Sequence, residues 1–134
     1  MAGLTALDEL IKGMEPVLRQ GDFVYTFVGR ANVATLPPHE ALVREPEGIT
    51  LVMRREDADA ADLRYDFVAG WITLTVHSAL DAVGLTSAIA TALTEAGVSC
   101  NVLAGYHHDH ILVPRAQVGT AMDALQELAG TDRC

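Results

Sequence analysis

The sequence WITLTVHSALDAVGLTSAIATALTEAGVSCNVLAGYHHDHILV, residues 71–113, has the clearest periodic patterns in the chain. It begins with a two-residue alternation of apolar and polar side chains, which is typical of a strand with one buried face. Over residues 85–96 the apolar side chains recur at helical spacing instead, and Gly97 closes that pattern. Strand patterns return at 98–104 and 110–113. The stretch therefore predicts the order strand, helix, strand, strand.

The residues that follow complete most of a known arrangement. Apolar residues at helical spacing predict a final helix, with Val118, Met122, Leu125 and Leu128 on one side. The resulting order is that of a βαββαβ module, an antiparallel sheet with both helices on one face, without its last strand. Only GTDRC remains after the helix, which is too short for that strand. We expect another part of the chain to supply it, and residues 22–29 are the natural candidate.

The first half predicts a second, smaller sheet. A helix is predicted at about 5–13, a strand at 22–29, a hairpin at 41–53 and a short helix at 56–63. We predict an α+β fold of two interleaved modules, residues 1–68 and 69–134. Part of the N-terminal module completes the sheet of the C-terminal one.

Charge and composition exclude several classes of function. The chain has 134 residues, with 18 acidic and nine basic ones, and a formal charge of −9. This charge repels nucleic acids and anionic lipid surfaces. No apolar run approaches the roughly 20 residues of a membrane span, and the N-terminus is acidic where a signal peptide is basic. We expect a cytoplasmic protein that binds neither nucleic acid nor membrane, and no disulfide framework from two cysteines.

The segment LDAVGLTSAIATALTEAGVSCNVLAG, residues 80–105, resembles the signature of ACT domains. These are small βαββαβ modules that bind amino acids and other metabolites and regulate enzymes. The matching positions are Asp81, Gly84, Leu85, Ile89, Leu93, Gly97, Val98 and Asn101, whereas Val83 stands where the family often has proline. Over about residues 65–128 the chain further resembles small stand-alone bacterial ACT proteins and the regulatory half of aspartate kinases. The resemblance implies two ferredoxin-like ACT modules and a regulatory, non-catalytic role.

A ligand site is predicted where the helix of residues 85–96 begins. The first amides of a helix lack intrahelical acceptors and carry a partial positive charge, so they can bind a carboxylate. A carboxylate at Asp81 or an amide at Asn101 can take an ammonium group, and an α-amino acid meets both requirements. The predicted contacts are Asp81, Val83, Gly84, Leu85, Thr86, Asn101 and Val102, with Met53 and Arg54 as an opposite wall by analogy.

Other interpretations of these residues remain open. Asp81 is also a reasonable N-cap, and a glycine in such a turn is common without a ligand. The chain could then be a structural or protein-docking subunit, and either a homodimer or the partner module would cover the face of the predicted sheet that carries Trp71. The histidines at 107, 108 and 110 suggest a metal-responsive module, although neighbours on a hairpin point to opposite faces.

Catalysis has less support in the sequence. A nucleophile at Cys100 with His110 as its base is conceivable, but an inert buried thiol is the simpler interpretation. We expect no enzyme and no cofactor. The sequence does not identify the amino acid or a regulated partner.

Overall fold

A computed structural model describes residues 6–76 and 83–130. The helices of these residues are α1 (Ala6–Lys12), α2 (Arg55–Ala60), α3 (Leu85–Glu95) and α4 (Val118–Leu128). The strands are β1 (Pro16–Leu18), β2 (Phe23–Val28), β3 (Ala41–Glu45), β4 (Gly48–Arg54), β5 (Val68–Leu74), β6 (Asn101–Ala104) and β7 (Asp109–Pro114). The chain forms two compact units. We name residues 20–70 the continuous unit, and residues up to 19 together with those from 71 the split unit.

The split unit contains a βαββαβ arrangement in which the fourth strand comes from the N-terminal end. Strand β1 pairs antiparallel with β5, with Leu18 opposite Ile72. Strand β5 neighbours β7, and β7 pairs antiparallel with β6. Residues 16–18 therefore pair with the part of β5 that belongs to the split unit, whereas the strand predicted at 22–29 pairs with β5 only at Phe23 and Val24. A three-residue strand is too short to show an alternation, so no local pattern predicts it.

The core of the split unit lies between this sheet and helices α3 and α4. Alternate residues of β5 point into it, as the two-residue pattern predicted, and so do the apolar stripes of both helices. The buried members are Met14, Ile72, Leu74, Val76, Leu85, Ile89, Leu93, Val98, Ile111, Val113, Ala121, Leu125 and Ala129. Burying one large aliphatic side chain contributes roughly 1.5–3 kcal/mol. This packing fixes the position at which α3 begins.

The continuous unit has the same relative strand order as the split unit, but a short turn replaces one of its two helices. Its strands lie in the order β3, β4, β2 and the start of β5, and the pairs β3–β4, β4–β2 and β2–β5 are antiparallel. The place of a first helix is taken by a 3₁₀ turn at Val33–Thr35, capped by the side chain of Asn32. Two prolines follow within three residues and prevent a longer helix. A separate core contains Val24, Ile49, Leu51, Met53 and Ala58.

The predicted α+β fold of two ferredoxin-like modules is confirmed. The ends of several strands differ from the prediction: β5 begins at Val68 rather than at 71, and β6 begins at Asn101 rather than at 98. Across the described ranges, no helix is long and apolar enough to cross a membrane.

Candidate functional site

The predicted ligand site lies at the start of helix α3. Gly84 is the N-cap, with φ +105° and ψ −24°, and it has no side chain to accept a hydrogen bond from the first amides. Leu85 is 3% exposed and anchors the first turn in the core. Val83 is 90% exposed, and Thr86, the second residue of α3, is also exposed. Asp81 lies outside the described residues, so its predicted role stays a prediction.

Gly84 has a packing function that the sequence did not reveal. A Cβ atom at this position would lie 2.9 Å from Cδ2 of Leu7 on helix α1. A positive φ of this size also favours glycine over any residue with a Cβ. The space beside the Gly84 Cα, where the sequence suggested close approach of a ligand, is therefore filled by Leu7. The close contact with Leu7 and the positive φ together account for glycine at this position without a ligand. Neither changes the direction in which the first amides of α3 point.

Asn101 and Val102 occupy the first two positions of strand β6. Asn101 pairs with Leu112 of β7, and its side chain is exposed. Val102 packs against the core of the split unit. Because successive side chains of a strand point to opposite faces, Asn101 projects away from that core. The two predicted contacts are thus on different faces of the sheet.

The predicted opposite wall belongs to the continuous unit. The side chain of Met53 is fully buried in the core of that unit. Arg54 donates a hydrogen bond from Nη1 to the carbonyl oxygen of Gln20 at 3.1 Å, and its guanidinium carbon lies 5.0 Å from the ring centre of Phe23. Met53 therefore offers no side-chain surface to a ligand, and Arg54 already has partners. Their participation in a site with residues 83–86 stays a prediction.

His110, one of the three clustered histidines, contacts other side chains instead of contributing to the hypothetical metal site. Nδ1 of His110 lies 3.2 Å from the indole nitrogen of Trp71 and 3.1 Å from the hydroxyl oxygen of Thr73. These contacts occupy one of the two ring nitrogens of His110. In the part of the chain that the structure describes, no three His, Cys, Asp or Glu residues are grouped so as to hold a metal ion.

Cys100 and His110 do not form a nucleophile and base pair. Cys100 packs against the core of the split unit, on the same side as Val102. His110 lies opposite Leu103 and therefore on the other face of the sheet. Burial raises the pKa of the Cys100 thiol, which disfavours the reactive thiolate. The structure thus contradicts the conceivable cysteine-histidine pair.

Comparison with known families identifies the module. Models of the ACT domain match residues 2–70 and 67–127. The chain belongs to the ACT domain family. The overlap of the two matches at residues 67–70 coincides with the start of β5, the strand that runs from one unit into the other. A search of curated proteins found no match.

Several solved structures share this tandem ACT fold. A Vibrio cholerae protein of unknown function, described as a possible transport protein, is 46% identical, with a TM-score of 0.84 over 92% of this chain and 96% of its own. The ligand-free regulatory subunit of aspartate kinase from Thermus thermophilus is 6% identical, with a TM-score of 0.63 over 84% and 95%. Aspartate kinase from Clostridium acetobutylicum is 11% identical, with a TM-score of 0.62 over 86% of this chain and 34% of its own.

These comparisons confirm the predicted resemblance to tandem ACT proteins and aspartate kinase regulatory domains. The aspartate kinase structures share the fold alone, because their identities are low. Membership of the ACT family supports a regulatory, ligand-binding role in general, and neither family match is to a catalytic family.

Proposed function

We propose that this ACT protein is a non-catalytic sensor that binds a small amino acid at the start of helix α3. The observation that carries the proposal is the glycine N-cap: Gly84 leaves the first helix amides without an acceptor from its own side chain. The exposed residues Val83 and Thr86 flank this position. A carboxylate there would satisfy orphan amides and interact favourably with the helix dipole.

The proposal assigns the remaining contacts by chemistry. The amides of residues 83–86 would bind the carboxylate, and Asp81 or Asn101 would bind the ammonium group. Val102 packs against the core on the other face of β6 from Asn101, so it is assigned no contact with the ligand. We further propose that the protein acts in the cytoplasm as a homodimer and that amino acid binding controls a partner enzyme.

A structural or protein-docking subunit is the second candidate function. The packing of Leu7 against Gly84 favours it, because that contact accounts for the glycine in the absence of any ligand. The two candidates differ in one measurable property, which is stabilisation by a small molecule.

Thermal unfolding in the presence of each of the twenty standard amino acids, and of divalent metal ions, tests the proposal. A ligand present at about 100 times its dissociation constant stabilises the folded state by about 2.7 kcal/mol, which raises the midpoint by several degrees. We expect such a shift with at least one amino acid. No shift with any amino acid would favour the docking subunit, and a shift with zinc or nickel alone would favour the metal-responsive module.

A pair of variants locates the bound ligand. Thr86→Glu places a carboxylate in the first turn of α3, where it interacts favourably with the helix dipole and competes with the carboxylate of the ligand. We expect it to abolish the ligand-induced shift without lowering the midpoint of the free protein. Thr91→Glu is the matched control, because Thr91 is equally exposed but lies in the middle of the helix. If Thr86→Glu binds as tightly as Thr91→Glu, the ligand lies elsewhere.

A further inference from the structure

A cleft of about 630 Å³ lies within the continuous unit, away from the residues assigned above. Its volume falls in the range of about 300–1,000 Å³ that is typical of ligand pockets. The lining residues are Tyr25, Thr26, Phe27, Thr50, Leu63, Arg64, Tyr65 and Asp66. They come from strand β2, from its neighbour β4, and from the segment between α2 and β5.

The cleft forms where two neighbouring chain segments diverge. Strand β2 pairs with β4 from Phe23 to Val28. On its other side β2 pairs with β5 only at Phe23 and Val24. Beyond Val24, among the residues that the structure describes, no strand pairs with this side of β2. Residues 63–66 form the opposite wall, so the cleft occupies the place of a missing strand segment.

The main chain of Phe27 points toward this open side. The carbonyl oxygen of Asp22 accepts a hydrogen bond from the amide of Arg55 at the end of the β2–β4 ladder, at 2.9 Å. Main-chain groups along an antiparallel strand alternate in direction, so the even-numbered residues of β2 face β4 and the odd-numbered ones face away from it. The N–H and C=O of Phe27 are therefore directed into the cleft. They form an unpaired strand edge.

The walls of the cleft are aromatic and hold opposite charges. Phe27 contributes an exposed aromatic ring, with 52% of its surface accessible. The hydroxyl of Tyr65 donates to Asp59 at 2.7 Å and accepts from Nε of Arg55 at 3.0 Å, so this ring is held in place. The positive charge of Arg64 and the negative charge of Asp66 cancel in the lining. A neutral polar ligand therefore meets no net charge there, although the whole chain carries −9.

We propose that this cleft binds an extended peptide segment, whose main chain pairs with the open side of β2 at Phe27. A peptide main chain presents a donor and an acceptor at the spacing of a strand edge, and strand addition is a recognised mode of peptide binding. The open part of β2, residues 25–28, matches a peptide of three or four residues at about 3.4 Å per residue. The site is independent of the amino acid site proposed at α3.

Amide chemical shifts of the ¹⁵N-labelled chain, measured during titration with acetyl-trialanine-N-methylamide, test the proposal. The titration should extend to about 10 mM, which detects dissociation constants in the millimolar range. We expect shift changes at residues 25–28 and 63–66. The same peptide with methylated amide nitrogens cannot donate and should cause much smaller changes. Unchanged shifts, or equal changes with both peptides, would overturn the proposal. Changes at these residues with free alanine alone would mean that a free amino acid occupies the cleft instead.

Discussion

The indole N–H of Trp71 donates a hydrogen bond to Nδ1 of His110 over 3.2 Å, and the two rings meet edge to face at 61°. A nitrogen that accepts from an indole N–H must present a lone pair, so Nδ1 is unprotonated and the neutral ring carries its proton on Nε2. The Thr73 hydroxyl, 3.1 Å from the same nitrogen, then also donates. This arrangement requires a neutral His110.

Acidification should therefore destabilise the protein through His110. Burial lowers the pKa of His110 below its usual 6.5; His108 and Arg19 lower it further, and Asp109 opposes them. Below pH 6.5 the unfolded state binds a proton that the folded state resists, so stability falls as the pH falls from 6.5 toward the folded pKa. Above pH 6.5 this group has no effect on stability.

The pH dependence of the thermal midpoint, measured from about pH 5 to pH 8, checks this prediction against a His110→Gln variant. Glutamine retains an acceptor but does not titrate, so the variant should lose less stability below pH 6.5. Trp71 is the only tryptophan, and its fluorescence should change as His110 gains a proton. Identical pH profiles for both proteins would contradict the assignment.

Gly84→Ala should destabilise the fold more than Gly97→Ala. Both glycines have positive φ, +105° and +77°, so each substitution introduces backbone strain of about 1 kcal/mol or more. Only the Cβ at residue 84 would also meet Leu7, at 2.9 Å, whereas nothing lies within 4 Å at residue 97. Urea denaturation of both variants measures the difference. Adding Leu7→Ala to Gly84→Ala should relieve the clash; equal free energies of unfolding for the two glycine variants would disprove the packing argument.

Truncation of Ile89 should show how strongly the core holds helix α3. Ile89 is fully buried among the side chains of β5, β7 and α4, so Ile89→Ala should cost about 2–5 kcal/mol of unfolding free energy. Val83→Ala is the control, because a side chain that is 90% exposed should contribute less than about 0.5 kcal/mol. Chemical denaturation provides both values, and similar losses would show that the helix is not anchored by this residue.

The thiol of Cys100 should react slowly in the folded protein. Burial raises its pKa and shields it, so at a fixed pH the thiolate is scarcer than in the unfolded chain. The rate of iodoacetamide labelling, measured in a Cys134→Ser background to leave one thiol, should be at least about tenfold lower without urea than with it. Equal rates would indicate an accessible, reactive cysteine.

Much of the fold followed from local patterns. The alternation before residue 77 and the helical spacing of Leu85, Ile89 and Leu93 predicted β5 and α3, because both periods reflect which side chains face a core. The family signature depends on the same segment. The metal and catalytic interpretations of His110 failed to anticipate its bond with Trp71, although the alternation already placed Trp71 and Thr73 on one face.

The sequence alone determined the helices, most strands and the ACT family, because these depend on residues that are close in the chain. The folded structure was needed to show that β1 completes the sheet of the split unit, that Leu7 packs on Gly84, and that the main chain of Phe27 faces an open strand edge. Each of these facts joins segments that are far apart in sequence. Periodicity specifies which face of a segment is buried, but the partner against which it packs depends on how the whole chain folds.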